Sequence, residues 1–148
     1  MNTHPYLRAF LAGIFVPTLI LPVFLAAFIV LRLVLQVPVP IERGLVFPMA
    51  LVPSVWGLWS VLWLVSRERT HLSIGAHGAI LPLVLAPSGA LVGHCVGVVV
   101  LGTSSVTWFN AVHVPYSLIS VGLLVALAVY YLVWKYIVGF LTGVLAIA

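Results

Sequence analysis

Histidine is the residue of this sequence that is best suited to chemistry inside a membrane. His94 lies in a long apolar stretch between Gly93 and Cys95, seven residues or about 10 Å before the predicted end of its span. A titratable side chain within a membrane span indicates a functional site by default, so His94 is a candidate for handling a proton or a ligand. The alternative is a neutral histidine that hydrogen-bonds to a neighbouring helix.

His94 and His113 together are a candidate haem pair. Two neutral histidines on neighbouring helices can ligate a haem iron, and His113 precedes the last apolar stretch. The sequence has no Cys-x-x-Cys-His motif and no second pair of this kind. Haem b is therefore the weaker interpretation, and the prediction is no cofactor and no bound metal.

Tryptophans form a second candidate group. Trp56, Trp59 and Trp63 recur at the spacing i, i+3 and i+7, which places them on one face of a helix. One interpretation is a stacking wall for a lipid, pigment or other aromatic ligand. The other is that the large rings fill the space opposite small residues on a neighbouring helix.

Two serines follow prolines that are predicted to lie deep in membrane helices. Ser54 follows Pro53 and Ser88 follows Pro87. A proline removes a backbone donor and frees a carbonyl that needs another partner. Ser54 and Ser88 are therefore candidates to bond to the freed backbone groups or to line a pathway.

The residues needed for enzyme chemistry are scarce. Glu42 and Glu68 are the only acids, each stands beside an arginine, and the chain has no aspartate. A Ser-His-Asp triad, a G-x-S-x-G turn and a phosphate-binding glycine loop are all absent from the sequence. Cys95 is the sole cysteine, so the chain forms no internal disulfide. The residues lean away from catalysis without excluding it.

The composition indicates whether water or lipid surrounds these residues. Of the 148 residues, 64% are hydrophobic and 5% are charged, whereas soluble domains carry about 25% charged residues. The net charge is +4, but the basic residues are scattered along the chain rather than gathered on one face, which argues against nucleic-acid binding. We therefore predict an integral membrane protein with lipids as its surroundings.

Four stretches are long enough to cross the roughly 30 Å hydrocarbon core, which takes about 20 apolar residues. The prediction is an all-α, up-down four-helix membrane bundle with proline-kinked helices, forming one domain over residues 1–148. Pro17, Pro22, Pro53 and Pro87 are the expected kinks, and Pro48 and Pro82 are expected in first turns. The predicted spans are Ala9–Leu31, Leu45–Val65, Ala79–Leu101 and Ser117–Ile137, followed by an apolar helical extension over 138–148.

Basic residues predict the orientation of the bundle. Four of them lie on the side that carries both termini, and two lie on the other side. This distribution predicts cytoplasmic termini, in what we expect to be a bacterial inner membrane. Lys135 stands among Tyr130, Tyr131, Trp134 and Tyr136, as expected at a membrane border, although a position inside the bundle is the alternative. The four basic residues on the side of the termini are Arg8, Arg67, Arg69 and Lys135. The two on the other side are Arg32 and Arg43.

Small residues predict where helices approach closely. Gly89, Gly93 and Gly97 recur every four residues and so share one helix face. Gly122 and Ala126 repeat the pattern in the fourth span. The expected role is a packing face, either within the bundle or between subunits, and the alternative is a thin-walled route for a substrate.

Three functions remain open. Proline pairs with similar surroundings, PMALVPS and PLVLAPS, resemble the broken helices of transporters. With His94 in a span, they favour an oligomeric transporter or channel for a small solute or ion. The poverty of polar groups favours a non-catalytic accessory or assembly subunit of a larger membrane complex. The tryptophan stripe favours a module that binds lipid or pigment.

Overall fold

The computed structural model of the chain describes residues 4–36 and 46–146. Five helices lie in this part of the chain: α1 (Pro5–Ile29), α2 (Phe47–Thr70), α3 (Ile74–Cys95), α4 (Tyr116–Val133) and α5 (Gly139–Val144). A π-helical segment, Val30–Val34, follows α1, and another, Trp134–Val138, joins α4 to α5. Val37–Pro40 of the first predicted loop, Glu42 and Arg43 lie outside the described residues.

Four continuous helices are long and apolar enough to cross a membrane, namely Pro5–Val34, Pro48–Thr70, Ile74–Cys95 and Tyr116–Val144. α1 packs mainly against α2, and α3 mainly against α4. α1 and α2 are antiparallel. Gly13 of α1 lies against Ser60 of α2, while Phe24, later in α1, lines one cleft with Met49, earlier in α2. The prediction of an all-α, up-down four-helix membrane bundle is confirmed.

The last helix is longer than one span. α4, the π-helical segment and α5 form a single apolar helix of 29 residues, so the predicted C-terminal extension continues the helix as far as Val144. A π turn inserts one extra residue into the helical repeat. Here it coincides with Trp134 and Val138, which are both fully buried.

The predicted bounds of the third span were wrong. α3 begins at Ile74, five residues earlier than predicted, because the Ser73 side chain accepts a hydrogen bond from the Ala76 amide at 3.3 Å and caps the helix. It ends at Cys95, and Gly97 has a φ of 72°, a left-handed conformation that glycine adopts readily. Pro82 therefore lies inside the helix and not in its first turn.

The connection between α2 and α3 is also shorter than predicted. α2 extends to Thr70, and the His71 amide bonds to the Arg67 carbonyl oxygen at 3.1 Å. The connection thus consists of His71–Ser73, whereas the prediction placed a loop over residues 66–78. His77 consequently lies in a helix.

The sequence reading missed a small sheet between α3 and α4. Strands β1 (Val99–Leu101), β2 (Ser105–Trp108) and β3 (Val112–Pro115) form an antiparallel sheet in the order β1-β2-β3. β1 was predicted to end the third span. Valine is strongly represented in this stretch, and branched side chains suit a strand better than a helix, but the apolar run concealed the change.

The buried core lies at one end of the bundle. We call this the tight end: α1 up to Pro17, α2 from Trp56 onward, α3 up to Leu85, α4 from Tyr130 onward, the second π-helical segment and α5. The opposite end, with the sheet and the remaining parts of α1 to α4, is the sheet end. The buried hydrophobic residues of the main core are Ala9, Ala12, Val16, Trp56, Leu81, Trp134 and Val138, all toward the tight end.

Candidate functional site

An aromatic cluster whose side chains carry several polar atoms lies in the core of the tight end. We define the aromatic cluster as Trp56 and Trp59 of α2, His77 of α3, Tyr130 of α4 and Trp134 of the π-helical segment. The Trp56 ring centroid lies 5.0 Å from that of Tyr130 and 5.6 Å from that of Trp134. Three of the four spans thus meet through these rings.

His77 and Trp59 hold α3 against α2 through two hydrogen bonds. The Trp59 indole Nε1 donates to the His77 carbonyl oxygen at 3.0 Å, and the His77 Nε2 lies 3.2 Å from the Trp59 carbonyl oxygen. A carbonyl oxygen only accepts, so Nε2 carries a proton. The two rings also stack, with centroids 4.9 Å apart.

The predicted spans left His77 outside the helices, between residues 65 and 79, and this was wrong. Only 5% of its surface is exposed, whereas the prediction gave it no role in the bundle. The flanking Gly75 and Gly78 were the available signal, because small neighbours allow another helix to approach a buried polar side chain.

Trp134 is the largest fully buried side chain of the described residues, and Gly78 makes room for it. A Cβ atom added to Gly78 would collide with the Trp134 side chain. At Gly57 such an atom would lie 2.5 Å from the Phe10 ring. Large rings therefore lie against glycines here, but the rings are Trp134 and Phe10. That Trp56, Trp59 and Trp63 fill space opposite small residues stays a prediction.

Packing, more than hydrogen bonding, holds this core together. In the part of the chain that the structure describes, the Trp134 indole nitrogen and the Ser60 hydroxyl are buried without a hydrogen-bond partner. An unsatisfied buried polar group costs about 1–3 kcal/mol. The packing of the core must therefore offset the cost of these unsatisfied polar atoms.

The two predicted serines do not converge with the histidines. Ser54 and Ser88 are both exposed. The Ser88 hydroxyl donates to the carbonyl oxygens of Val84 and Leu85, at 2.7 and 3.1 Å, so it bonds within its own helix. The carbonyl that Pro87 leaves without its helical donor is that of Leu83, one residue earlier. A pathway role for Ser54 and Ser88 stays a prediction.

His94 lies in the last turn of α3 and is exposed, so its predicted depth of about 10 Å was wrong. Its Nδ1 lies 3.1 Å from the Val99 carbonyl oxygen, and this bond ties β1 to α3. His113 is on β3, and its Nδ1 lies 2.9 Å from the Thr107 hydroxyl. Among residues 4–36 and 46–146, no group of three or more metal-ligating side chains is present.

Among the described residues, no second helix packs on the predicted glycine face. Gly97 lies outside α3, and Gly93 is contacted by Val99 of the sheet. A Cβ atom at Gly89 or at Gly122 would meet no described atom within 4 Å outside its own helix. Ala126, one turn after Gly122, is partly buried. The alternative, that these glycines form a packing face between subunits, stays a prediction.

The basic residues of the tight end lie against aromatic rings. Lys135 is exposed, and its Nζ lies 5.6 Å from the Tyr131 ring centroid and 5.3 Å from that of Tyr136. The alternative that placed Lys135 inside the bundle was wrong. Arg67 lies over the Trp63 ring at 5.6 Å. Such pairs suit a membrane border.

Two apolar clefts open on the bundle surface. One of about 240 Å³ lies between α1, α2 and α4, with Trp56 and Tyr130 in its wall. The other, of about 460 Å³, lies between α1 and the helix that ends in α5. Thr18 is the only polar side chain in its lining, and its hydroxyl bonds to the Ile14 carbonyl oxygen.

Comparison with protein-family profiles, with curated proteins and with solved structures gives no match to this chain. The fold and the composition therefore define its class. The chain is a small polytopic integral membrane protein with four helices of spanning length, which are in contact with membrane lipids.

Proposed function

We propose that the chain is a non-catalytic subunit of a membrane assembly, and that it binds further transmembrane helices through the sheet-end halves of α3 and α4. The observation that carries this proposal is the open surface at Gly89 and Gly122, where an added Cβ atom would meet no other described element. In lipid, helices associate where small residues let their backbones approach.

The two glycines lie at matching depths. Gly89 is six residues before the end of α3, and Gly122 is six residues after the start of α4, so both lie about 9 Å inside the sheet-end border. α3 and α4 pack against each other. One additional helix, from a second copy or from another protein, can therefore contact α3 and α4 at the same depth in the membrane.

Transport of a small solute or ion by an oligomer stays a prediction. A pathway needs polar groups that face one another across a cavity. The hydroxyl of Ser88 instead bonds within its own helix, and the imidazole of His94 bonds to the Val99 carbonyl oxygen five residues later. This local bonding supports the assembly role over transport, and the binding of a lipid or pigment at Trp56 stays a prediction as well.

The sidedness and the membrane also stay predictions. Arg67 and Lys135 lie against aromatic rings at the tight end, which supports a cytoplasmic position for that end under the positive-inside rule. A bacterial inner membrane remains the expected location.

Single-molecule photobleaching and native mass spectrometry in nanodiscs prepared from native membranes test the assembly role. Wild type is expected to occur with additional protein chains, its own or others. The double variant Gly89→Leu with Gly122→Leu is expected to weaken this association at least about tenfold, or 1.4 kcal/mol. The control is Gly143→Leu, since Gly143 is equally open but lies in α5.

A Cβ atom at each of these positions meets no described atom outside its own helix, so the helix content should not change. Circular dichroism of each variant checks this point. The assembly role is refuted if wild type occurs as a solitary chain in its native membrane. It is equally refuted if the double variant and the Gly143→Leu control associate to the same extent.

A further inference from the structure

The small sheet separates its side chains into two unlike faces. Residues paired across antiparallel strands share a face, and successive residues alternate. Val99 pairs with Trp108, which pairs with Val112, and Leu101 pairs with Val106, which pairs with Val114. We define the apolar sheet face by these six residues: Val99, Leu101, Val106, Trp108, Val112 and Val114.

The opposite face contains polar groups. It carries Val100, Ser105, Thr107, His113 and Pro115, and the Thr107 hydroxyl is hydrogen-bonded to the His113 imidazole. Residues 98–116 include no charged side chain. The strands thus form an amphipathic sheet whose sidedness derives from strand alternation.

The sheet is attached at the depth of the last turn of α3. The Val98 amide donates to the Gly93 carbonyl oxygen at 2.8 Å, and a Val99 methyl group lies 2.6 Å from where a Gly93 Cβ would be. β3 continues directly into α4, and the Tyr116 hydroxyl bonds to the Gly102 carbonyl oxygen at 2.8 Å. Both ends of the sheet are therefore held at helix termini.

Those helix termini lie at the membrane border. α3 has 22 residues and is about 33 Å long, which matches the roughly 30 Å hydrocarbon core. A sheet packed beside the last turn of such a helix lies among the lipid headgroups. At that depth its side chains reach the boundary with the acyl chains.

The apolar sheet face is the side that faces the bundle. Val99 and Val106 on this face are buried, and Val99 contacts α3 at Gly93. Leu101, Trp108 and Val112 share the face but extend beyond the cover of the helices, with 52%, 39% and 55% of their surfaces exposed. The described helices therefore leave these three apolar side chains uncovered.

We propose that the sheet is an interfacial membrane anchor, in which Leu101, Trp108 and Val112 insert into the boundary between headgroups and acyl chains while Thr107 and His113 face water. Trp108 is suited to this position, because tryptophan is enriched where an apolar ring and a polar N–H meet the two phases. The anchor does not depend on the proposed assembly role, since it requires only the bilayer that the four spans already imply.

Spin-label accessibility in lipid nanodiscs tests this anchor, with nitroxides attached in a Cys95→Ser background. Labels are introduced at Leu101→Cys and Val112→Cys on the apolar sheet face. Their sequence neighbours on the opposite face, Val100→Cys and His113→Cys, are the matched controls. All four sites are exposed, so labelling should leave the helices intact, which circular dichroism checks.

Oxygen concentrates in lipid and a nickel chelate concentrates in water. Labels at 101 and 112 are expected to show an oxygen-to-nickel collision ratio severalfold higher than labels at 100 and 113. Equal, water-like ratios at all four sites overturn the proposal, because the sheet then stands clear of the bilayer. Low access of both reagents to 101 and 112 also overturns it, because a protein partner or a second copy then covers the face.

Discussion

The tight end and the sheet end are built from the same four spans, yet one pair of glycines in the first region and one pair in the second have opposite surroundings. At the tight end, Gly78 lies against Trp134, and Gly57 lies against the Phe10 ring. At the sheet end, Gly89 and Gly122 face no other described element within 4 Å. Small residues by themselves do not make a helix interface.

The difference shows what a helix contact in lipid requires. Lipid tails are as apolar as leucine, so burying an apolar side chain against another helix brings little hydrophobic gain. The gain derives from van der Waals contact, which needs a large group opposite a small one. The tight end supplies the rings of Trp134 and Phe10 opposite Gly78 and Gly57, while the sheet end presents Gly89 and Gly122 to lipid or to another chain.

Gly78→Leu is expected to give the largest loss of stability. The new side chain would collide with Trp134, and overpacking of a well-packed core costs about 3 kcal/mol at the upper end of its usual range. Reversible unfolding in mixed micelles, followed by circular dichroism, measures the free energy of unfolding. The matched control Gly89→Leu should change it by less than about 0.5 kcal/mol. Equal losses would mean that the two ends are packed alike.

Trp134→Ala is expected to cost about 2 kcal/mol, less than the roughly 3–5 kcal/mol of such a change in a water-soluble core, because the side chain moves between protein and lipid rather than water. Trp108→Ala, at an exposed site of the sheet, should leave unfolding of the bundle nearly unchanged. The pair Gly78→Leu with Trp134→Ala should lose less than the sum of its single losses, since the cavity accepts the leucine. Strict additivity would show that the two residues are not in contact.

His77→Phe is expected to have the smallest effect, about 0.6 kcal/mol, which is the average for a side-chain hydrogen bond between membrane helices. The phenyl ring keeps the stacking on Trp59 but loses the bond from Nε2 to the Trp59 carbonyl oxygen. The same unfolding assay measures it, with His94→Phe at the exposed end of α3 as the comparison. A greater loss from His94→Phe would place the polar contact that matters at the sheet end.

Several features of this protein could be predicted because they depend on local composition. Long apolar runs indicate the four spans, and the aromatic residues around Lys135 favoured the exposed position that it has. Other features failed for physical reasons. The run from Val96 to Leu101 is apolar in a helix and in a strand alike, so hydropathy did not locate the end of α3. The predicted spans left His77 outside the helices because the Ser73 cap, which starts α3 at Ile74, was not recognised in the sequence.

The sequence alone determined that lipid surrounds most of this chain and that four helices cross it, because six basic and two acidic side chains among 148 residues cannot cover a water-soluble surface. Tertiary structure decided which glycines lie against aromatic rings, which histidine is buried and where the sheet lies. These outcomes depend on the register of one helix against another. That register is set by the shapes of side chains distant in the sequence, and no local pattern contains it.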